Sequence, residues 1–536
     1  MSMHESLDYT RSSGVLAHIT SLPSPFGIGD MGSGATEFLN FMAQSGQSIL
    51  QVLPLGPTHP AFSNSPYMTA SAFAGNPLII SPELLQEDGL LMADELEDTP
   101  DFSPYSVDFD AVALLKTQLL NRAFSRFKPD QNPAFQQFIE ESPWLPDYCL
   151  FMALKSRYQN TAWHQWPAAL AKRDREALLQ AATRMQTQIA FFQFEQYVFY
   201  KQWMHLRRRA RKLHIELFGD IPIYVSLDSA DVWANQNIFQ LDDTTCLPTQ
   251  VAGVPPDYFS DTGQKWGNPL YRWNSGDDEV EEDLISWWCA RFEAVFRQVD
   301  IARIDHFRGF QAYWSVAAEE ETALNGEWRQ GPGADFFKTV FDRLGPLKIV
   351  AEDLGEITED VIALRQHLGF PGMKILQFAF DGDRRNSFLP FNFESSNFFV
   401  YTGTHDNNTT VGWYLSDKVD DGIRRQVTTV TNRKHEEVHG IHRDFIHLAM
   451  SSTAVVSIYP LQDVLGFGGD CRMNMPGTDR DNWSWRCSKD FLTDEVAGWL
   501  HDLTGTFNRK PSQTENSASA GDGPDDDLPE SGETKS

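Results

Sequence analysis

The chain has 536 residues and a formal net charge of −30, with 41% hydrophobic and 12% aromatic residues. That length and apolar content can bury a large core, arranged as several domains or as one large barrel with insertions. The negative charge disfavours partners such as nucleic acid or an anionic membrane, and no apolar run reaches the ~18 residues of a membrane span.

The N-terminal "MSMHESLDYTRSSG" lacks the charged-then-apolar design of a secretion signal. The five cysteines, Cys149, Cys246, Cys289, Cys471 and Cys487, are odd in number and form no CxxC pair. Reduced thiols in a cytoplasmic protein are expected, not a disulfide frame or a zinc site.

In chain order, eight short apolar runs read as strands: "GVLAHIT" (14–20), "SILQVLPL" (48–55), "IELFGDIPIYV" (215–225), "VDIARIDHF" (299–307), "LKIVAEDLG" (347–355), "GMKILQFAF" (372–380), "FFVYTGTHD" (398–406) and "TAVVSIYPLQD" (453–463). Helical text such as "ATEFLNFMAQSG" and "EDVIALRQHLG" separates most of them. The pattern predicts an α/β fold, a (β/α)8 TIM barrel. Residues 56–214 are too many for one crossover and predict an inserted, mainly helical subdomain. Residues 226–298 predict a second, loop-like insertion. The basic run "RRRARK" (207–212) reads as a solvated helix end. Residues 1–510 are expected to form the catalytic unit. The acidic tail 511–536, poor in apolar residues, is expected to be disordered.

In such a barrel the chemistry sits at the C-terminal strand ends. Charge gathers at those ends here: Asp220, then Arg303 and Asp305, then Glu352 and Asp353, then His405 and Asp406. Burying so many charges is costly unless they are paired or used. Strand alternation puts Arg303, Asp305 and Phe307 on one face.

Glycosyl transfer uses this inventory. A retaining enzyme needs two carboxyl groups ~5–5.5 Å apart, one as nucleophile and one as acid/base. A further carboxylate stabilises an oxocarbenium-like transition state. An Arg beside the nucleophile would pair with the anion that the attack needs. Crowding by carboxylates favours a protonated acid. Tyr67, Tyr258, Phe259, Trp266 and Trp273 are candidates to stack on sugar rings, although Trp273, like Trp287 and Trp288, reads better as packing. Asp353 reads as structural.

Three other readings compete. An amylase-type hydrolase would use the same carboxylates with water as acceptor. A metal-dependent barrel hydrolase would need an H-x-H on an early strand, which is absent. A non-catalytic glucan-binding protein would not need the full carboxylate set.

At "RIDHFRG", "AEDLG" and "GTHDNN" the sequence strongly resembles the 4-α-glucanotransferases called amylomaltases or disproportionating enzymes, glycoside hydrolase family 77 of the α-amylase clan. "LPSPFGIGD", "QVLPLGPT", "SPY", "SAFAGNPL", "GDIPIYV", "VAGVPPDYFSDTGQKWGNPLY", "YPLQDVLG", "RMNMPGT" and "NWSWR" agree in the same order. The resemblance runs from about Gly14 to about Trp499. It implies Asp305 as nucleophile, Glu352 as general acid/base and Asp406 as the third carboxylate, which binds sugar hydroxyls. It implies substrate-binding roles for Tyr67, Asp220, Tyr258, Phe259, Gln264, Trp266, Arg303, His306 and His405, with no metal and no cofactor. The implied donors are maltodextrin, amylose or glycogen-derived glucans, and the implied acceptors are glucose or maltooligosaccharides. Two stretches depart from the family pattern. "HPAFSNSPYM" replaces a Gly/Tyr-rich loop beside the groove. "HDNNT" puts Asn408 where the family usually has Asp, which predicts an altered pH response.

Overall fold

The computed structural model describes residues 9–256, 260–433, 440–478 and 480–510. Tyr258, Phe259 and the tail 511–536 lie outside the described residues. In chain order the strands are β1 (Ser12–Leu16), β2 (Ile49–Gln51), β3 (Glu216–Ile221), β4 (Gln250–Val254), β5 (Gln264–Pro269), β6 (Ile301–Ile304), β7 (Ala312–Ala317), β8 (Glu327–Gln330), β9 (Ile349–Ala351), β10 (Gly372–Ile375), β11 (Phe398–Tyr401) and β12 (Val456–Pro460).

Eight strands form one parallel sheet in the order β10-β11-β12-β1-β2-β3-β6-β9. Strands such as "IVA" and "FFVY" are buried on both faces, which is why they are continuously apolar rather than alternating. The seam between β9 and β10 is bridged at its end. The Ala351 N–H donates to the Pro371 carbonyl at 2.9 Å, and the Met373 N–H donates to Asp353 Oδ1 at 2.7 Å. Asp353 Oδ2 also forms an ion pair with Arg365 Nε at 2.9 Å. A side chain on Gly372 would collide with Asp353, since a Cβ there would lie 2.4 Å from Oδ2. The sheet is thus a nearly closed barrel, as the sequence predicts.

The strands are shorter than their apolar runs. The chain leaves the ladder early, into 3₁₀ turns at Ile19–Ser21, Phe307–Phe310 and Leu376–Phe378 and a short helix at Leu461–Leu465. After β6, His306 adopts a left-handed conformation (φ 51°, ψ 48°), which is uncommon for a non-glycine residue. This breaks the alternation. Phe307 therefore does not share a face with Arg303 and Asp305. It turns into the core against Phe310, Phe337 and Phe370.

Between β2 and β3 the chain is helical, with long helices at Phe109–Arg126, Leu145–Arg157 and Gln186–Lys212. The last is clamped by two buried glutamines. Gln196 exchanges hydrogen bonds with the Gly75 backbone (2.7 and 2.9 Å), and Gln202 does the same with Ser81 (2.7 and 3.1 Å). The basic run ends this helix, but Arg207 is not solvated. It is buried and pairs with Asp300 at 2.9 Å, because the helix end docks on the segment leading into β6, where Arg207 also donates to the Arg297 and Val299 carbonyls.

The second insertion is more ordered than its Gly- and Pro-rich text suggests. β4 and β5 form a hairpin that joins β7 and β8 in an antiparallel sheet of order β5-β4-β7-β8. "EWRQ" of β8 and "QKWGNP" of β5 carry too few apolar residues to read as strands. Trp273 packs against Trp288, Phe310 and Phe336 in the core, the packing role preferred for it from the sequence.

Candidate active site

β3, β6, β9 and the loop after β11 deliver the charged groups. β6 and β9 are adjacent parallel strands with Ile304 opposite Ala351. Asp305 and Glu352 are the next residues on each, so they leave neighbouring strands side by side. The spacing of paired strands is about 4.8 Å.

Arg303 is the hub. Its Nη1 donates to both oxygens of Asp220 (2.8 and 2.7 Å), and its Nη2 pairs with Asp305 Oδ1 at 2.7 Å. Its charge also acts on Glu352 and Asp406. The Asp305 side chain is 30% exposed, whereas that of Asp220 has no exposed surface. Asp220 also accepts from the Tyr67 hydroxyl at 2.7 Å. Burial pushes its carboxyl up in spite of Arg303. Asp220 therefore reaches the cleft through Arg303 and Tyr67.

Glu352 is held at both oxygens by backbone amides. The His306 N–H donates to Oε2 at 2.7 Å and the Leu354 N–H to Oε1 at 2.9 Å. Burial, and secondarily the Asp305 charge, raise its carboxyl to about 7 against the opposing pull of Arg303 and the two amides. Burial thus outweighs the carboxylate crowding expected from the sequence. The His306 imidazole is driven down to about 4 by burial. Trp266 stands edge-on to it, with ring centroids 4.9 Å apart. Gln264 contributes a bond to the Trp266 indole at 3.2 Å.

Asp406 takes the opposite course. Burial would raise its carboxyl, but His405 (Nε2 to Oδ2, 3.3 Å) and the Asn474 amide (2.6 Å to Oδ1) hold it well below the usual carboxylate range. His405 is itself raised by Asp406, although burial opposes this. Its ring stacks on Tyr67 at 5.1 Å, and Trp483 lies 5.8 Å from Tyr67 and 5.9 Å from His405. Asn408 is turned to the backbone. Its Oδ1 accepts from the Thr409 N–H (2.9 Å) and its carbonyl from Gln377 (2.7 Å).

Asp305, Glu352, Asp406, Arg303, Asp220, Tyr67, His306, His405 and Trp266 therefore form one connected cluster, with Gln264 attached through Trp266. Asn474, Trp483 and Arg472, which donates to the Asp406 carbonyl, went unassigned in the sequence. They lie in "RMNMPGT" and "NWSWR", motifs that carry no carboxylate or other obvious reacting group. Among the described residues, no group of three or more His, Cys, Asp or Glu is arranged to hold a metal. None of their helices is long and apolar enough to cross a membrane.

The family model for 4-alpha-glucanotransferase, glycoside hydrolase family 77, matches residues 17–493 and so spans the whole cluster. A 4-alpha-glucanotransferase of Synechocystis sp. is 48% identical over 511 residues, covering 94% of this chain and 99% of the relative. One of Thermus thermophilus is 44% identical over 513 residues, covering 94% of this chain and all of the relative. The solved amylomaltase of Streptococcus agalactiae in complex with acarbose superposes with a TM-score of 0.89 at 36% identity, over 94% of this chain and 100% of that one. The chain belongs to glycoside hydrolase family 77, the 4-alpha-glucanotransferases.

Proposed function

We propose that Asp305, Glu352 and Asp406 carry out a retaining 4-α-glucanotransferase reaction. Asp305 attacks the anomeric carbon of a bound glucan. Glu352, protonated, gives its proton to the departing 4-oxygen, and a glucosyl ester forms on Asp305. An incoming sugar 4-hydroxyl then loses its proton to Glu352 and displaces Asp305 with a second inversion, so configuration is retained. Asp406, anionic and oriented by His405 and Asn474, binds sugar hydroxyls and stabilises the developing positive charge. Arg303, His306 and Tyr67 position the carboxylates and the sugar. The donors are maltodextrin, amylose or glycogen-derived glucans, and the acceptors are glucose or maltooligosaccharides. The setting is cytoplasmic, a reading supported by five unbonded cysteines.

The observation that carries this reading is the pair on β6 and β9. A part-exposed carboxylate bound to Arg303 lies one strand away from a carboxyl raised to about 7. One side chain is suited to attack and its neighbour to deliver a proton. The amylase-type alternative uses the same pair with water, and the family relationship favours transfer. Incubation with maltotriose, with products resolved by length, tests the reading. Transfer gives a ladder of shorter and longer maltodextrins with little gain in reducing ends. Reducing-end gain without longer products would make the protein a hydrolase.

A further inference from the structure

Beside the carboxylate cluster, one aromatic group is both open and rigid. Trp314 on β7 and Trp328 on β8 stand opposite each other across the antiparallel ladder. Their ring centroids are 5.1 Å apart at 67°. Trp314 is fixed: its indole N–H donates to the Ala323 carbonyl at 2.9 Å, and Gly326 approaches so closely that a Cβ there would lie 2.2 Å from Nε1. Trp328 lies on the outermost strand of the small sheet and is 38% exposed. The Arg308 guanidinium sits 3.8 Å from its ring centroid, and Arg308 donates to the Glu356 carbonyl. The ring is therefore held in place by a cation–π stack while over a third of the residue stays open to solvent.

We infer that Trp328, braced by Trp314 and Arg308, is a remote contact for an α-1,4-glucan chain, engaged by substrates too long for the cleft alone. The inference rests on the glucan-transfer reading above. Continuity with the cleft selects the occupant. Arg308 follows Asp305 by three residues and Glu356 follows Glu352 by four. One side chain thus ties the platform to both loops that carry the reacting carboxyls. The chemistry also suits a sugar polymer. The C–H face of a glucose ring packs on an aromatic ring, and Gln330, two residues along and on the same face of the strand, carries an amide oxygen that can accept from a sugar hydroxyl while its Nε2 donates to the Gln311 carbonyl at 2.9 Å. A rigid ring loses little conformational entropy when it binds.

The test compares the parent with Trp328→Ala and Trp328→Phe in two backgrounds. In the active enzyme, KM is measured on amylose and on maltotriose. In an Asp305→Asn background, retardation is measured by electrophoresis through gels containing amylose. Trp328→Ala is expected to raise the ratio of the amylose KM to the maltotriose KM about three- to tenfold and to weaken retardation, with Trp328→Phe recovering most of both. A ratio and a retardation that stay at parent values would overturn the proposal, as would equal KM changes on both substrates. A protein that fails to turn over maltotriose would remove the transfer reading alone, because retardation still decides the platform.

Discussion

The backbone amide of His306 donates to Glu352 Oε2 at 2.7 Å, so the residue after the proposed nucleophile holds the proposed acid. His306 can do this because its left-handed conformation ends the extended run of β6. Charge placement and backbone geometry are thus coupled: the turn that directs Phe307 into the core also points an amide at the neighbouring strand.

The raised Glu352 carboxyl sets a pH limit. Glu352 must begin the first half-reaction protonated, and its folded-state value is about 7. Below that pH the acid is present, and above it the acid is lost. The basic limb of kcat/KM on maltotriose is therefore expected near pH 7, with a tenfold fall per pH unit beyond it. The same shift bears on stability. The folded state holds this proton more tightly than the unfolded chain, so Glu352 contributes a loss of stability as pH rises from about 4.5 to about 7. A kcat/KM profile that stays flat to pH 9 would remove Glu352 from the acid role.

His405 is also raised above its ordinary value, so its deprotonation offers a second source for a basic limb. Glu352→Gln separates the two. With a maltosyl fluoride donor the leaving group needs no proton, so glycosylation of Asp305 should survive far better than with maltodextrin. Rapid quench of the first turnover, with azide supplied to release the ester, measures that step. The expected result is a deficit of two or more orders of magnitude on maltodextrin and at most about tenfold on the fluoride. If the basic limb persists in Glu352→Gln with the fluoride, His405 carries it. Equal deficits on the two donors would argue against Glu352 as the acid.

The barrel strands and the gathering of charge at their ends are legible in the sequence because each feature has a local signature. Runs such as "KIVAE" and "FFVYTG" are apolar where both faces are buried and turn polar where the chain reaches the rim. What could not be read was geometry created by chain reversals. The break at His306 is a backbone conformation with no composition signal. In the small sheet β5 and β8 are mostly polar, so their period is weak, and β4 and β7 find partners only through chain reversals. Asn474 and Trp483 reach Asp406 and His405 from a segment about 70 residues further along the chain. Only the folded chain brings them there. Arg207 departs from the solvated helix end that its basic run predicts, because it finds Asp300 in the segment leading into β6.

Asp353 should matter to the fold more than to the chemistry. It sits next to Glu352, yet its oxygens are turned to the barrel seam, one to the Met373 amide and one to Arg365. Asp353→Ala would leave the Arg365 guanidinium, whose side chain is 4% exposed, buried without its counter-ion. A loss of about 3–5 kcal/mol is expected, read as a lower midpoint in urea. A midpoint shift worth less than ~1 kcal/mol would show that the Ala351–Pro371 bond and packing hold the seam without it.

Asn474 gives a corresponding test for the third carboxylate. Its amide is a charge-assisted donor to Asp406, of a kind worth about 1.5–3 kcal/mol. Because the bond orients and holds anionic a carboxylate whose charge acts most strongly on the transition state, Asn474→Ala is expected to lower kcat about 10- to 100-fold with little change in KM. A rise in KM at constant kcat would instead assign Asn474 to ground-state binding.

Transfer rather than hydrolysis demands that the glucosyl ester on Asp305 meet a sugar before it meets water, which is present in vast excess. Selectivity must come from oriented binding of the acceptor and from keeping solvent away from the ester. Trp266 is the described residue proposed for the second role. It projects from β5, and its ring stands 4.9 Å from the imidazole of His306, directly beside Asp305 in the chain. The four-stranded sheet anchors it, because β5 pairs with β4 and β4 with β7. Trp266→Ala would replace an indole with open space at that wall and leave every carboxylate in place. The expected result is a several-fold rise in the ratio of reducing-end gain to disproportionation products from maltotriose, followed over one time course. Tyr258 lies between β4 and β5 in the chain, outside the described residues, and Tyr258→Ala is expected to move the ratio in the same direction. A parallel fall in both rates for Trp266→Ala would mean that the indole only supports His306, and acceptor binding would then have to account for the preference for transfer.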